Sequence, residues 1–530
     1  MRARVTPRPD SPLERLHDPL LDQLARGGPL ARERFPVLWS DRDALRSLGE
    51  AKRRPFAPAF ARALEDEHRR LGASSASLDH VGRLARGEAV CAVSGQQPGP
   101  LGGPLYSLHK IAAAVGLAQS YTVRTGLPCV PLFWMHGEDS DFAEIRGATI
   151  ADRALTLREL QLPDEAHVDG GLVGSIGAAP LAALEREALA HWEGLPQRDA
   201  VAALLDRARA RGRDLGDAYS ALMLELFAEQ GLVVVDPRHP AFREEARVIV
   251  DRYLSRPEAL GALARRAGEA LEGRLGRRPL SDASLDSFVF AIHEDIRHKV
   301  SPAEARGAGQ RLSPSVALRP VVQDGVLPTV AMACGPGEVA YLAQLREVFE
   351  ALEVRPACPV ARLSATWLPP AAVELIEASG AGPAEVVGST DGVVRAFAES
   401  QVPGSARAAL ERARREAMEG LARVSAEAGQ VDPSLPQMVE SARAKVDYQY
   451  ARVLEGLQGK VRHRIERQHP EWLRLRYYLM PGERPQERRL TSLEPVVYRG
   501  PGVVGELCEW AAEHASRLAG GVLEHLVVDL

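Results

Sequence analysis

Four acids fall within seven positions, at Glu138, Asp139, Asp141 and Glu144, directly after His136 and the apolar run Pro128–Met135. Carboxylates at that density can hold Mg²⁺ or bind a substrate ammonium, and an imidazole beside them can act as acid, as base or as a donor to phosphate. Carboxylates in a first helical turn also offset the positive end of the helix dipole, and one or two of the four are expected to do only that. A second candidate is the loop Ser94–Pro104, S-G-Q-Q-P-G-P-L-G-G-P, whose Gly95, Gly102 and Gly103 leave backbone N–H groups open to a phosphate. It has neither the G-K-[ST] of a Walker A loop nor the G-x-G-x-x-G dinucleotide spacing. Gln96 and Gln97 add amide donors and acceptors that a purely structural turn does not need. Lys110 follows in the next helix, one of only five lysines in a chain whose other basic residues are arginine. There its ammonium can reach an anion bound in the loop. As a partly exposed helix position, it is expected to tolerate alanine with little loss of stability.

These residues need elements to position them. Ala89–Val93 reads as a buried strand stopped by the glycines and prolines, and a helix starting at Pro104 places Leu108, Ile111, Ala112, Val115 and Ala118 on one face. The strand Pro128–Met135 then delivers the acidic cluster beside the loop, at the carboxyl ends of neighbouring parallel strands. The pattern returns later in the chain. Val316–Val322 and Thr329–Ala333 read as strands, Cys334–Glu338 as a second glycine loop and Val339–Leu352 as its helix, with further strands at Leu232–Val235 and Val360–Leu363. Ile145–Gly177 reads as antiparallel strands and Ala178–Phe227 as largely helical. From Ala406 on, apolar residues at three- and four-residue spacing predict two long antiparallel helices broken at Gly429–Pro436, and Leu526–Leu530 predicts a terminal strand returning to the main sheet.

The 530 residues exceed one ordinary core, and 45% hydrophobic with 26% charged residues is normal for a globular protein. A net charge of −5 gives no basic footprint for nucleic acid. No apolar run reaches membrane-spanning length, and the arginine-bearing amino terminus lacks the apolar core of a signal peptide, so cytoplasmic residence is expected. The five cysteines are scattered without a C-x-x-C pair, which suggests neither a zinc site nor disulfides. No haem or flavin is expected either.

Several strings together carry a resemblance. S-G-Q-Q-P-G-P-L-G-G-P-L-Y (Ser94–Tyr106), F-W-M-H-G-E-D-S-D-F (Phe133–Phe142), L-R-P-V-V-Q-D (Leu318–Asp324), L-P-T-V (Leu327–Val330), G-P-G-E-V-A-Y (Gly335–Tyr341), R-L-S-A-T (Arg362–Thr366) and the late Q-E-R (Gln486–Arg488) resemble the bacillithiol biosynthesis cysteine-adding enzymes, in that family's order. The resemblance implies an α/β fold: a Rossmann-like parallel-sheet core with connecting and helical insertions, and a long antiparallel coiled coil that mediates homodimerisation. It places the core at 1–390 with an insertion at about 145–310, the coiled coil at 391–468, and a segment returning to the core at 469–530. It implies a ligase joining L-cysteine to the amine of glucosaminyl-malate, with ATP or another nucleotide and Mg²⁺ as cofactors.

The residues expected to act are Lys110, His136, Glu138, Asp139 and Asp141, the last three also as Mg²⁺ ligands. Gly95, Gln96, Gln97, Gly102, Gly103, Gln323, Asp324, Gly335, Gly337, Glu338 and Tyr341 are expected to bind nucleotide or substrate. One departure stands out. Where the family commonly has E-D-H-D, this chain has Glu138-Asp139-Ser140-Asp141, with His136 on the preceding strand and Ser140 suited to cap the next helix. Two other readings use the same residues, an amide ligase with a different amine acceptor and a non-catalytic nucleotide-binding dimeric scaffold.

Overall fold

Five short runs of Val, Ala, Cys and Leu, each bounded by glycine, proline or a polar turn, form the central sheet. They are β1 (Val90–Gln96), β2 (Cys129–Met135), β3 (Val233–Val235), β4 (Thr329–Cys334) and β5 (Cys358–Ala361). All neighbours are parallel, in the order β5-β4-β1-β2-β3. Parallel strands are buried on both faces, which is why they read as continuous apolar runs. Successive strands step outward on one side from β1 to β3 and on the other from β4 to β5. The chain therefore reverses between β1 and β4, the switch point where open α/β sheets bind ligands. The structure is a computed structural model that describes residues 2–6, 18–307, 311–388 and 392–530. Residues 1, 7–17, 308–310 and 389–391, the last including the expected start of the coiled-coil domain, lie outside the described residues.

Helix α1 (Leu105–Thr125) follows β1, and all five apolar positions read from its sequence are buried. Its far side is covered as well. A Cβ on Gly116 would lie 2.4 Å from the backbone of Ala511, so glycine lets the helix Val503–Ala519 cross at close range. Helix α2 (Pro336–Gln344) follows β4. Between β2 and β3 come the one-turn helix Phe142–Ile145, the hairpin Gly147–Ala151/Leu157–Gln161 and three longer helices. After β3, two helices lead to an antiparallel sheet of Val289–His293, Ile296–Lys299 and Arg311–Pro314, which stands over the carboxyl edge of the central sheet.

Two expectations are corrected. Val316–Val322 contributes no strand, because Pro320 sits in the first turn of a helix, Arg319–Val326, and buries Val321, Val322 and Val326. The terminal strand His525–Asp529 does not join the central sheet. It pairs in parallel with Ser364–Leu368 and antiparallel with Arg2–Val5 in a separate sheet.

The late helices α3 (Gly404–Val431) and α4 (Leu435–Gln468) form an antiparallel hairpin around the expected break. Arg414 Nε lies 2.6 Å from Asp447 Oδ1, and the Tyr450 hydroxyl donates to the Ala413 carbonyl at 3.2 Å. Val424 and Val453 of this hairpin are 51% and 53% exposed. Among the described residues no helix is long and apolar enough to cross a membrane.

Candidate active site

A cleft of about 750 Å³ opens at the switch point. Its floor comes from the ends of β1 and β2, one side from the start of α2, and its roof from the antiparallel sheet, which supplies Phe290, Arg297, Lys299 and Ser313. Lys110 reaches it from α1. Its Nζ lies 2.9 Å from Glu338 Oε2 and donates to the Gly95 carbonyl at 3.0 Å and to Gln96 Oε1 at 3.2 Å. This one ammonium joins β1 to α2 across the reversal. Lys110 is only 6% exposed, which corrects its reading as a partly exposed, readily replaced position. Glu338 also accepts the Gly335 N–H at 2.9 Å, capping the helix that it helps to open. Gly337 faces open space, so the first turn of α2 is accessible from the cleft.

His136 follows β2, and a Cβ on Gly95 would lie 2.6 Å from its Nε2. Glycine at 95 therefore gives the ring its place. That Nε2 is buried and has no hydrogen-bond partner. Burial, reinforced by Arg319, Lys110 and Arg297, holds the imidazole well below its ordinary pKa, so it is neutral near pH 7. Gln97, 3% exposed, lines the same space with neither amide atom partnered. Buried polar groups are nearly always satisfied, and orphans that line a cleft mark where a ligand's polar atoms go.

The acidic cluster disperses. Glu138 lines the cleft but pairs with Arg243, Nε to Oε1 2.9 Å; burial raises its pKa while Arg243 and Ser313 oppose the rise. Asp139 lines the cleft 3.3 Å from Arg297 Nη1. Asp141 is turned outward and caps the helix Phe142–Ile145, accepting the Glu144 N–H at 3.2 Å. Asp141 thus takes the capping role expected of Ser140, and the three carboxylates do not converge. Among the described residues no group of three or more His, Cys, Asp or Glu side chains is placed to hold a metal ion. Glu144 stays at the rim, accepting from Gln96 Nε2 at 3.2 Å.

The glycine loop divides. Gln96 and Gln97 line the cleft, whereas Gly102 and Gly103 turn away from it. The Gly103 carbonyl accepts the Ser492 N–H at 2.9 Å, and a Cβ on Gly102 would lie 3.0 Å from Ser492 Cβ. Their positive φ of 80° and 70° serves this close packing and not a ligand. Gln323 and Asp324 are likewise internal. Asp324 accepts from Thr329 Oγ1 and the Ala357 N–H, both at 2.6 Å, with Lys52 Nζ 4.0 Å away, and so ties β4 to the approach to β5. Gly335, Gly337, Glu338 and Tyr341 do line the cleft, and the Tyr341 hydroxyl accepts from Arg319 Nη2 at 2.6 Å. Sequence reasoning missed Tyr106, Arg297, Arg319, Arg362 and Arg488, which give much of the wall its character.

Comparison with known proteins accounts for nearly the whole chain. The profile described as "Bacillithiol biosynthesis BshC, N-terminal Rossmann-like domain" matches residues 31–307 and 302–363, and "Bacillithiol biosynthesis BshC, C-terminal coiled-coil domain" matches 365–517. The chain belongs to the bacillithiol biosynthesis BshC family. Relatives named "Putative cysteine ligase BshC" include one from Shouchella clausii, 29% identical over 86% of this chain and 88% of its own length. Another, from Symbiobacterium thermophilum, is 28% identical over 85% of this chain and 87% of its own, and one from Salinibacter ruber is 31% identical over 60% and 62%. As a BshC-type ligase, the chain carries its cleft within the family's Rossmann-like part. Arg488 reaches that cleft from the span matched by the coiled-coil profile.

Proposed function

We propose that this cleft joins L-cysteine to the amine of glucosaminyl-malate, driven by ATP with Mg²⁺. The observation that carries the reading is the meeting at the switch point of a cationic wall, the accessible first turn of α2, and buried polar atoms without partners, the two amide atoms of Gln97 and Nε2 of the half-buried His136. A polyphosphate suits that donor set: backbone N–H groups at a helix start, Lys110, and arginines on the facing wall. ATP supplies the driving force that makes the cysteine carboxyl an acyl donor. Lys110, fixed by Glu338, Gly95 and Gln96, would hold negative charge in place. His136, kept neutral, is suited to hydrogen-bond charge that develops as the amine attacks, in the way a preorganised donor lowers a barrier. Asp139 and the rim acid Glu144 would receive the cysteine ammonium. Mg²⁺ would take its ligands from the nucleotide and water, since the carboxylates of the cleft do not converge on one point.

Two copies would pair through α3 and α4. Support comes from the apolar residues that the hairpin leaves exposed, Val424, Val453 and Leu457 among them, since a narrow two-helix seam buries little alone. Five free thiols, four of them buried, suit work in the cytoplasm. The test is to incubate the purified protein with cysteine, glucosaminyl-malate and MgATP, and to follow the product by mass spectrometry. A product carrying another amine would replace the acceptor, and no ATP-dependent consumption of cysteine would overturn the reading.

A further inference from the structure

The Q-E-R segment lies far from the glycine loop in sequence, yet its Arg488 enters the wall of the cleft and its other two side chains stand behind that wall. Gln486, 1% exposed, grips the backbone of Trp367, accepting its N–H at 2.8 Å and donating to its carbonyl at 3.0 Å. This fixes the next residue. Glu487, 4% exposed, accepts from Arg362 Nη1 at 2.9 Å and also from Nη2, from His109 Nδ1 at 3.0 Å and from Ser364 Oγ at 3.0 Å. The Trp367 indole donates to His109 Nε2 at 3.0 Å, which assigns the ring's proton to Nδ1 and makes His109 a neutral donor to Glu487. Burial alone would raise the Glu487 pKa; Arg362 and His109 instead hold it well below the usual carboxylate range.

A two-point carboxylate clamp fixes the plane of a guanidinium as well as its position. Arg362 is aimed by that clamp. It lines the cleft with its guanidinium 5.7 Å from the centroid of the Tyr106 ring, which also has Lys110 Nζ at 5.6 Å, and with Nε toward Gly335 at the start of α2. A structural ion pair would be complete with its mutual bonds and would need no cleft. Here one partner forms part of the cleft wall and the other stands behind it, braced by His109, Ser364 and the Gln486 grip.

We propose that Glu487 is a positioning residue that aims Arg362 at the anionic group of the substrate bound in the cleft, an inference resting on the assignment of the cleft as the active site. Glu487 does not reach the ligand itself. Its contribution is orientation, so retaining its charge without its reach should not preserve it.

Glu487→Asp keeps the charge and shortens the arm, and is the decisive variant. Binding is measured calorimetrically on the full chain with three probes: MgATP, inorganic pyrophosphate and L-malate. At least one should bind the parent protein, and Glu487→Asp should weaken that probe about tenfold, a size usual for coupled contacting residues. Arg362→Gln should weaken it similarly, and adding Glu487→Asp to Arg362→Gln should cost nothing more. If Glu487→Asp does not give parental circular dichroism, the same cycle is run with Glu487→Gln, which keeps the length of the arm. Unchanged or tighter binding in the single Glu487 variant, additive losses in the double variant, or no binding of any probe by the parent would each overturn the inference. Binding of pyrophosphate or malate without MgATP would sink the nucleotide in the proposed function while leaving the role of Glu487 intact.

Discussion

Replacing Lys110 by alanine should cost both turnover and stability, and the structure sets the second loss. The Nζ serves Glu338 Oε2, the Gly95 carbonyl and Gln96 Oε1 at 2.9–3.2 Å. Removing one member of a buried ion pair typically costs about 3–5 kcal/mol because the other charge is stranded. The Glu338 side chain is 15% exposed and keeps the Gly335 N–H, so cleft water and that bond recover part of the loss. We expect about 2–4 kcal/mol, or about 4–16 °C in midpoint at roughly 2–4 °C per kcal/mol for a large domain. The assay is thermal and urea unfolding of Lys110→Ala beside the double variant Lys110→Ala/Glu338→Gln. The double variant should regain about half the stability, because the stranded carboxylate is gone, while turnover stays low in both. A single variant within about a degree of the parent, or a double variant no more stable than the single, would refute the reasoning.

Three further outcomes are expected. His136→Ala should lower turnover by about 10²-fold with the Michaelis constant for cysteine little changed, as for a contact made in the transition state; near-normal turnover removes His136 from the mechanism. Val453→Asp should leave the monomer folded, since that side chain is 53% exposed in the single chain, yet shift the mass in light scattering from dimer to monomer; an unchanged mass argues against pairing through this hairpin. Acid should destabilise the fold through its neutral buried histidines. Burial pushes His68, His514 and His525 down to about 4, so the unfolded chain, with its histidines near 6.5, binds more protons between those values. Stability is then full above about pH 6.5 and falls as the pH drops toward 4, each group costing about 2 kcal/mol at pH 5. A flat midpoint down to about pH 4.5 would contradict this.

What could be read in advance was the part governed by local pattern. β1, β2 and β4 are short apolar runs cut off by glycine or proline, and Lys110 stood out because lysine is scarce in this chain. The strings of the resemblance also carried Arg319, Arg362 and Arg488, but against so many arginines none was distinguished by type. Their roles come from partners far away in sequence, such as Glu487 for Arg362. The helix at Arg319–Val326 was misread because its valines suggest a strand, whereas Pro320 and the space beneath β4 decide otherwise. Gly102 and Gly103 look like phosphate ligands until Ser492 closes over them, and Asp141 was separable from Glu138 and Asp139 only once each carboxylate's partner was known.

The place of β1 in the middle of the sheet has a consequence for how the chain comes to be folded. While the ribosome makes the protein, β2 can dock on one edge of β1 soon after it emerges, but the other edge must wait for β4, the whole helical insertion later. Pairings between strands so distant along the chain are slow to form, and an unpaired apolar edge left open meanwhile invites association with other nascent chains. The strand that carries Gly95 and Gln96 thus spends synthesis half-covered. Slower production, or a chaperone that shields that edge, would act on assembly of the cleft without touching any residue that lines it.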